Sequence, residues 1–567
     1  MAKYIPRAQS FTAKIDRARH NLYEERSTTM HPMVAIPIYY KRMMRGDDFN
    51  FGIMESILRS QPTFSPLLAN WRLEFQWYFD SDANRYGWID NNTRLTAEEV
   101  MTRRHHTVTP VKTFSPGDTG FIPKSSGVSP HSIAEYSGVP VGSAFNQEKF
   151  GEWGFYRNID FHLTYLNIIR NYHVNKQFPN IPFISNRQFD SPYTDTYQFE
   201  SYPLEDMDNL FMFLRSCPNG VMFDMQEQTV DAPSDLYNYY QHSVDKFLSY
   251  LNVCENYCGG LFCTQFEPDL YQNLLANDQN LLRSMVTIQE IAGQSGITIE
   301  NFRLSNHLQD LYDKVFVSGG SDRDLSRTLW GIESNRDYDI PELLCVHSEI
   351  IGTNLVTSST AGETSVNGEN VNNVAGSMSG NLNTRRGAGR GQRFKARTSG
   401  SLMCVVTLTP LVAYSQNIER HLLENNFMDE FQPDMARKGF ENVPLSDYTA
   451  LPSLESNGEL YPTQYPLDKV VGKQIAWLRE MTSVNRVYGE FTEYGDQADW
   501  VLRRSFMKYD ATDDYVKPEI SVYGNPLAYQ YPFVSQTIND PNFHLQIAVK
   551  CVANRPVPRR FMPNLGY

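Results

Sequence analysis

The sequence predicts a mainly β protein in which two antiparallel sheets pack face to face and the connections outweigh the strands. Three observations carry that expectation. Trp71, Leu73, Phe75, Trp77 and Phe79 alternate with Arg72, Glu74, Gln76, Tyr78 and Asp80. In an extended chain this puts five bulky apolar groups on one face, which needs an opposing layer to bury it. Leu402 to Val412 is a near-continuous apolar run with β-branched residues, the pattern of a strand buried on both sides. Between such runs lie tens of residues rich in Gly, Pro and Ser, whereas connections in a compact domain run about four to six residues.

The chain of 567 residues is 41% hydrophobic and 20% charged, ample for a core and unlike a disordered chain. Its 31 Pro and 34 Gly show no Gly-X-Y period, which excludes a collagen-like rod. A formal charge of −14 means that nucleic-acid contacts must be local. No apolar stretch is long enough to span a bilayer, and the segment MAKYIPRAQSFTAKIDRARH lacks the apolar centre of an export signal. We therefore expect no membrane insertion and a protein made and kept in a cytoplasm. Seven cysteines in that setting favour reduced thiols. Cys254, Cys258 and Cys263 are spaced four and five apart with no evident fourth ligand, so they read as buried small hydrophobes rather than a zinc site. No cofactor is expected.

Along the chain, residues 1–27 carry Lys3, Arg7, Lys14, Arg17, Arg19 and Arg26 with few apolar anchors and read as an arm. Residues 28–64 read as short strands broken by Pro32, Pro37, Gly46 and Pro62. Residues 81–157 have no sustained period and read as a long ordered loop. Phe161, Tyr165, Ile168, Ile169 and Tyr172 share one helical face over 160–178. A second helix is expected over 298–316, with Leu304, Leu308, Leu311 and Val315 as its stripe, Thr298 as its cap and Gly319–Gly320 as its stop. Residues 352–392 contain no aromatic and read as a mobile loop or one ordered only by neighbours. Further strands are expected at 498–509 and 544–552. The tail 555–567, with three prolines, cannot continue a ladder.

Several motifs touch on chemistry. Asp80, Asp82 and Asn84 open like a calcium loop, but Arg85 and Asn91 stand where glycine and glutamate are required. A polar strand end is the better reading. His105 and His106, following Arg103 and Arg104, point to opposite faces of an extended chain. Gly387, Gly389 and Gly391 have the spacing of a phosphate-cradling loop, yet neither a preceding strand nor a following helix is expected, and the P-loop lysine is missing. Arg385, Arg386, Arg390, Arg393, Lys395 and Arg397 fall within 380–400 with no acidic residue among them. With Phe394 they could grip phosphates and stack a base, or merely offset the acidic remainder. The arm cations and Arg555, Arg559 and Arg560 share that ambiguity. No nucleophile motif of a hydrolase is present, and no enzymatic activity is expected.

Seven segments in order carry a resemblance: FTAKIDRARHNLYEE, MRGDDFNF at 44–51, WRLEFQWYFD at 71–80, GLFCTQFEPDLYQNLL at 260–275, LYDKVFVSGGS at 311–321, LMCVVTLTPLVAYSQN at 402–417 and VGKQIAWLREMTSVNRVYGEF at 471–491. Together they resemble the major capsid proteins of microviruses, nearest the gokushovirus and Alpavirinae-like lineages. The resemblance implies an eight-stranded viral jelly roll over 28–554 with large insertions at 81–157, 186–255 or 352–400. It further implies sixty copies in a T=1 icosahedral shell around circular single-stranded DNA, assembled in a bacterial cytoplasm. Residues 1–27 would lie inside, and Trp71, Leu73, Phe75, Trp77 and Phe79 in the core strand. Implied partners are further copies of the chain, the DNA, a small basic packaging protein, a pilot or minor capsid protein and a host receptor. Two other readings are a carbohydrate-binding or surface β-sandwich, and a jelly-roll hydrolase using an unrecognised carboxylate pair.

Overall fold

The structure is a computed structural model. It describes residues 17–87, 104–109, 128, 130–141, 157–175, 178–186, 197–217, 219–225, 229–252, 259–266, 271, 275–276, 340–357, 362–366, 369–373, 378–387, 391–427, 429–433, 439–452, 459–460, 466–510, 515–518, 521–534 and 541–557. The expected helix over 298–316 lies outside the described residues.

Two antiparallel sheets dominate. Their strands are β1 (Ala18–Asn21, resuming as Glu24–Met30), β2 (Ile36–Met43), β3 (Asp48–Ser60), β4 (Asn70–Ser81), β5 (Glu342–Gly352), β6 (Asn383–Gly387, resuming as Gln392–Lys395), β7 (Gly400–Pro410) and β8 (Phe543–Arg555). One sheet has the order β1-β8-β3-β6 and the other β5-β4-β7-β2. Part of the segment read as an arm is therefore a strand. Residues 18–21 and 24–30 pair with β8, because alternation along ARHN and EERSTTM suits a half-covered edge better than a solvated arm.

The sheets meet through the row anticipated on β4. Trp71, Leu73, Phe75, Trp77 and Phe79 are all buried. Trp71 meets Phe543 of β8 with ring centroids 5.0 Å apart, Trp77 meets Phe51 of β3 at 4.7 Å, and Phe79 meets Phe394 of β6 at 4.8 Å. Burying each apolar side chain of this kind contributes on the order of 1.5–3 kcal/mol, which holds the two layers in one register.

The outer faces differ. On the second sheet, Tyr78 touches Tyr172 and Tyr40 touches Phe161, so the chain between β4 and β5 covers this face. Its helix α1 (Asp160–Ile168) has every residue buried and continues as a π-turn over Ile169–His173. Tyr165 donates to the Ala35 carbonyl at 2.7 Å and accepts from the Phe262 amide at 3.0 Å, tying α1 to its neighbours on both sides. Two further helices, α2 (Leu204–Ser216) and α3 (Ser234–Asn252), pack on one another beyond it. This cover explains why all eleven residues of β7 are buried. On the first sheet, β3 and β8 instead alternate between buried and more exposed residues.

Residues 352–392 depart from the expected loop. Asn354–Thr357 pairs with Met378–Asn381, and Gly362–Val366 pairs with Glu369–Asn373. The local signal is the pair Asn367-Gly368 between Val366 and Glu369, a strong hairpin sequence. Composition alone gave no sign of this backbone pairing. Around 498–509 a 3-10 turn at Ala498–Trp500 precedes a strand at Met507–Asp510, and the strand expected at 544–552 lies within β8. Among the described residues no helix is long and apolar enough to cross a membrane.

Candidate nucleic-acid interface

The turn between β2 and β3 builds one end of the open sheet. Asp47 N donates to the Met44 carbonyl at 3.0 Å, closing a four-residue turn whose third position, Gly46, has φ +78°. That backbone region favours glycine. Arg45 is left exposed at the tip. Asp47 faces inward and is buried; its carboxylate accepts from the Met44 amide at 3.0 Å and from Arg555 Nε at 3.0 Å. Arg555 also donates to the Arg42 carbonyl and lies 4.9 Å from the Phe49 ring centroid. It is therefore a structural cation that fastens the end of β8, rather than one directed at a ligand.

Strand register then assembles charges that are remote in sequence. Arg19, Asn554, Asp48 and Lys395 form a single row across four neighbouring strands, a span of about 14 Å at the usual strand spacing. Arg393 sits in the adjacent row, opposite Asn50. Its guanidinium grips both oxygens of Asp48, with Nε 2.9 Å from Oδ1. Arg17 donates to the Gly46 carbonyl. Residue 396 pairs with the turn through its amide, 2.8 Å from the Asp47 carbonyl, which brings exposed Arg397 to the same corner. Arg17, Arg19, Arg45, Arg393, Lys395 and Arg397 are all exposed and outnumber the turn carboxylates Asp47 and Asp48. The Arg393 hydrogen bond holds the Asp48 carboxyl below its usual range, partial burial opposes this, and the charges of Arg393, Lys395 and Arg17 add to it. A surface rich in cations around one neutralised carboxylate can take phosphates without a buried charge penalty.

Of the other anticipated cations, Arg385 and Arg386 pair along β3 opposite Ile57 and Ser56, further down the same strand and away from the corner. Lys3, Arg7, Lys14, Arg390, Arg559 and Arg560 lie outside the described residues. The glycine run behaves differently from expectation: a strand, Asn383–Gly387, does precede it, and another strand, Gln392–Lys395, follows where a phosphate loop would need a helix.

A second charged cluster, missed in the sequence, lies at the same end on the covered sheet. Arg85 is fully buried and pairs with Asp80 at 3.0 Å and Asp82 at 2.7 Å. Arg42 bridges Asp82 at 2.6 Å and Asp160 at 3.1 Å. Asn84 and Asn167 each donate to Asp80 Oδ1 at 2.7 Å, and Tyr86 donates to Asp160 at 2.6 Å. Burial pushes Asp80 up, while the charges of Asp80, Asp160 and Asp82 overcome burial to hold Arg85 cationic. Burial opposes ionisation of Asp160 as well, but the His105 hydrogen bond, the charge of Arg85, the Tyr86 hydrogen bond and the charge of Arg42 keep its carboxyl well below the usual range. The apparent calcium-loop opening is thus an internal salt-bridge network, with Arg85 in the place of the loop glycine. As anticipated, His105 is exposed and His106 buried. Among the described residues no group of His, Cys, Asp and Glu could hold a metal ion; Cys263 is buried, and Cys254 and Cys258 lie outside them. Compared with known proteins, the chain matches no family model and no curated sequence.

Proposed function

We propose that this chain is the subunit of a viral shell, an eight-stranded jelly roll with oversized connections that closes in sixty copies around circular single-stranded DNA. The observation that carries the reading is the strand order: β1-β8-β3-β6 facing β2-β7-β4-β5 is the pairing expected when two Greek keys fold into opposed sheets. The ordered resemblance to microvirus capsid proteins points the same way. Fold alone would not choose a shell over a glycan-binding sandwich, so two surface features matter. The edge strand β5 exposes Leu343, Val346 and Ile350 and, among the described residues, has β4 as its one strand neighbour, an edge suited to contact between subunits. The connection between β7 and β8 exposes Phe427, Met481 and Tyr488, residue types enriched at subunit interfaces. Closed symmetry makes many weak contacts sufficient.

In this reading the basic corner faces the genome and relieves locally the repulsion set by an acidic chain. A small basic packaging protein would share that task, while a pilot protein and a host receptor complete the set of partners. The test is negative-stain imaging of purified protein with nuclease-protected DNA measured alongside. Closed particles about 250–300 Å across that retain nucleic acid are expected. A monomer that binds glycan and protects no DNA would overturn the shell reading in favour of a surface β-sandwich.

A further inference from the structure

The edge strands of the two sheets are not alike. β1 carries Arg19, Glu24, Glu25 and Arg26, β6 carries Arg385, Arg386, Arg393 and Lys395, and β2 carries Lys41 and Pro37, which lacks an N–H. Charges and proline on an edge discourage another chain from adding a strand to it. β5 has no proline, lysine or arginine, and from Leu343 onward its one carboxylate, Glu349, is turned inward and 4% exposed. Among the described residues no isolated bridge involves β5, so the side facing away from β4 offers a row of backbone groups for strand addition.

The order of residues along β5 selects the strand that fits. Val346, Ser348 and Ile350 are exposed beside Gln76, Glu74 and Arg72 of β4, and His347, Glu349 and Ile351 alternate with them toward the sandwich. Around Ser348 the strand reads apolar, His, Ser, Glu, apolar. Antiparallel pairing with a second copy about a twofold axis at Ser348 sets Val346 opposite Ile350 and His347 opposite Glu349, each twice. Opposed residues of an antiparallel ladder share a face, and such cross-strand pairs stabilise a sheet. Moving the axis by one residue sets imidazole against imidazole or carboxylate against carboxylate, so the sequence favours one register. The polar pair is already positioned: His347 Nε2 lies 2.9 Å from Glu349 Oε1, His347 stacks on Phe75 with ring centroids 6.2 Å apart, and Ser56 Oγ donates to Glu349 at 3.4 Å. Little ordering cost remains for a partner strand.

We infer that β5 pairs with β5 of a second copy of this chain, antiparallel and in register about Ser348, joining two four-stranded sheets into one. The inference deepens the reading of β5 as a contact between subunits and rests on it, but it does not require that a shell closes. A contact of this kind is isologous, the type that a twofold axis demands.

The experiment is disulfide trapping in the full chain. Ser348→Cys places a thiol opposite itself at the roughly 4.5–5.5 Å Cα separation of opposed strand residues, within reach of a disulfide. Mild oxidation is expected to give a covalent dimer on non-reducing gels. Val346→Cys alone and Ile350→Cys alone set their thiols about 13 Å apart and should not exceed the wild-type background, whereas a mixture of the two should crosslink. Val346→Lys combined with Ile350→Lys should raise the dimer dissociation constant at least a hundredfold by sedimentation equilibrium. Its urea midpoint should not move, because both side chains are exposed. A wild-type chain that stays monomeric at about 100 μM, or Val346→Cys alone trapping as well as Ser348→Cys, overturns the inference. Trapping at Ser348 without closed particles keeps the pairing and sinks the shell; closed particles without trapping at Ser348 do the reverse.

Discussion

Two clusters of arginine and aspartate sit at the same end of this sandwich and have opposite fates. Around Arg85 the charges are sealed beneath α1 and meet one another. Around Asp48 they lie on the open sheet, where cations remain exposed after the carboxylate is satisfied. The two are joined through Arg42, whose side chain serves the first and whose carbonyl accepts from Arg555 beside the second. The chemistry is the same on both sides. What differs is the layer above: a covered sheet converts ion pairs into architecture, and an open one leaves them available to a polyanion.

The largest way to break that comparison is to remove the buried cation. Arg85→Met strands the buried Asp80 without its cation and leaves Asp82 with Arg42 alone, and a loss of about 3–5 kcal/mol is expected, read by urea unfolding. A loss below about 1 kcal/mol would mean that the network is not holding this end together.

Acid should act next, and on the covered side. Burial lowers His162 and His173 to about 4, and it lowers His106 to about 4 as well, against the hydrogen bond to the Arg85 carbonyl. The unfolded chain binds these protons near pH 6.5, so the stabilising contribution of each neutral imidazole is complete above 6.5 and is lost as pH falls toward 4. Each is worth on the order of 3 kcal/mol across that window. His162→Leu should flatten the dependence of stability on pH by one proton, measured as the slope of unfolding free energy between pH 6 and 4.5. An unaltered slope would remove His162 from the account.

The smallest stability effect belongs to the open corner. Replacing Arg17, Arg19, Arg393 and Lys395 by glutamine should leave the unfolding midpoint and the shells intact while lowering retained DNA. The slope of log affinity for single-stranded DNA against log salt should fall by about 0.7 for each phosphate no longer neutralised. Asp48→Asn, which removes the carboxylate that the cations share, should raise retention. If the fourfold variant packages and binds as before, the corner does not face the genome.

Much of the sandwich was legible because its periodicities are local. Alternation from Trp71 to Phe79 identified a face, the apolar run from Leu402 identified a strand covered twice, and the spacing from Phe161 to Tyr172 marked α1. The pairings within 354–381 were obscured because composition reports which side chains can be buried, whereas backbone pairing there is signalled only by the dipeptide Asn367-Gly368 between two short polar strands. The basic corner was legible only as a set of cations. Nothing in the spacing of Arg19, Asp48 and Lys395 reveals that strand register sets them in one row, or that Arg555 is consumed by Asp47 while Arg393 remains exposed.

By itself the sequence determined which segments extend, which faces must be covered and which residue types could meet a phosphate, since each follows from neighbours a few positions apart. Only the tertiary structure decided which arginines are buried with carboxylates and which stay in water. That choice depends on register between strands hundreds of residues apart and on which sheet the long insertion comes to cover, and neither leaves a periodic trace along the chain.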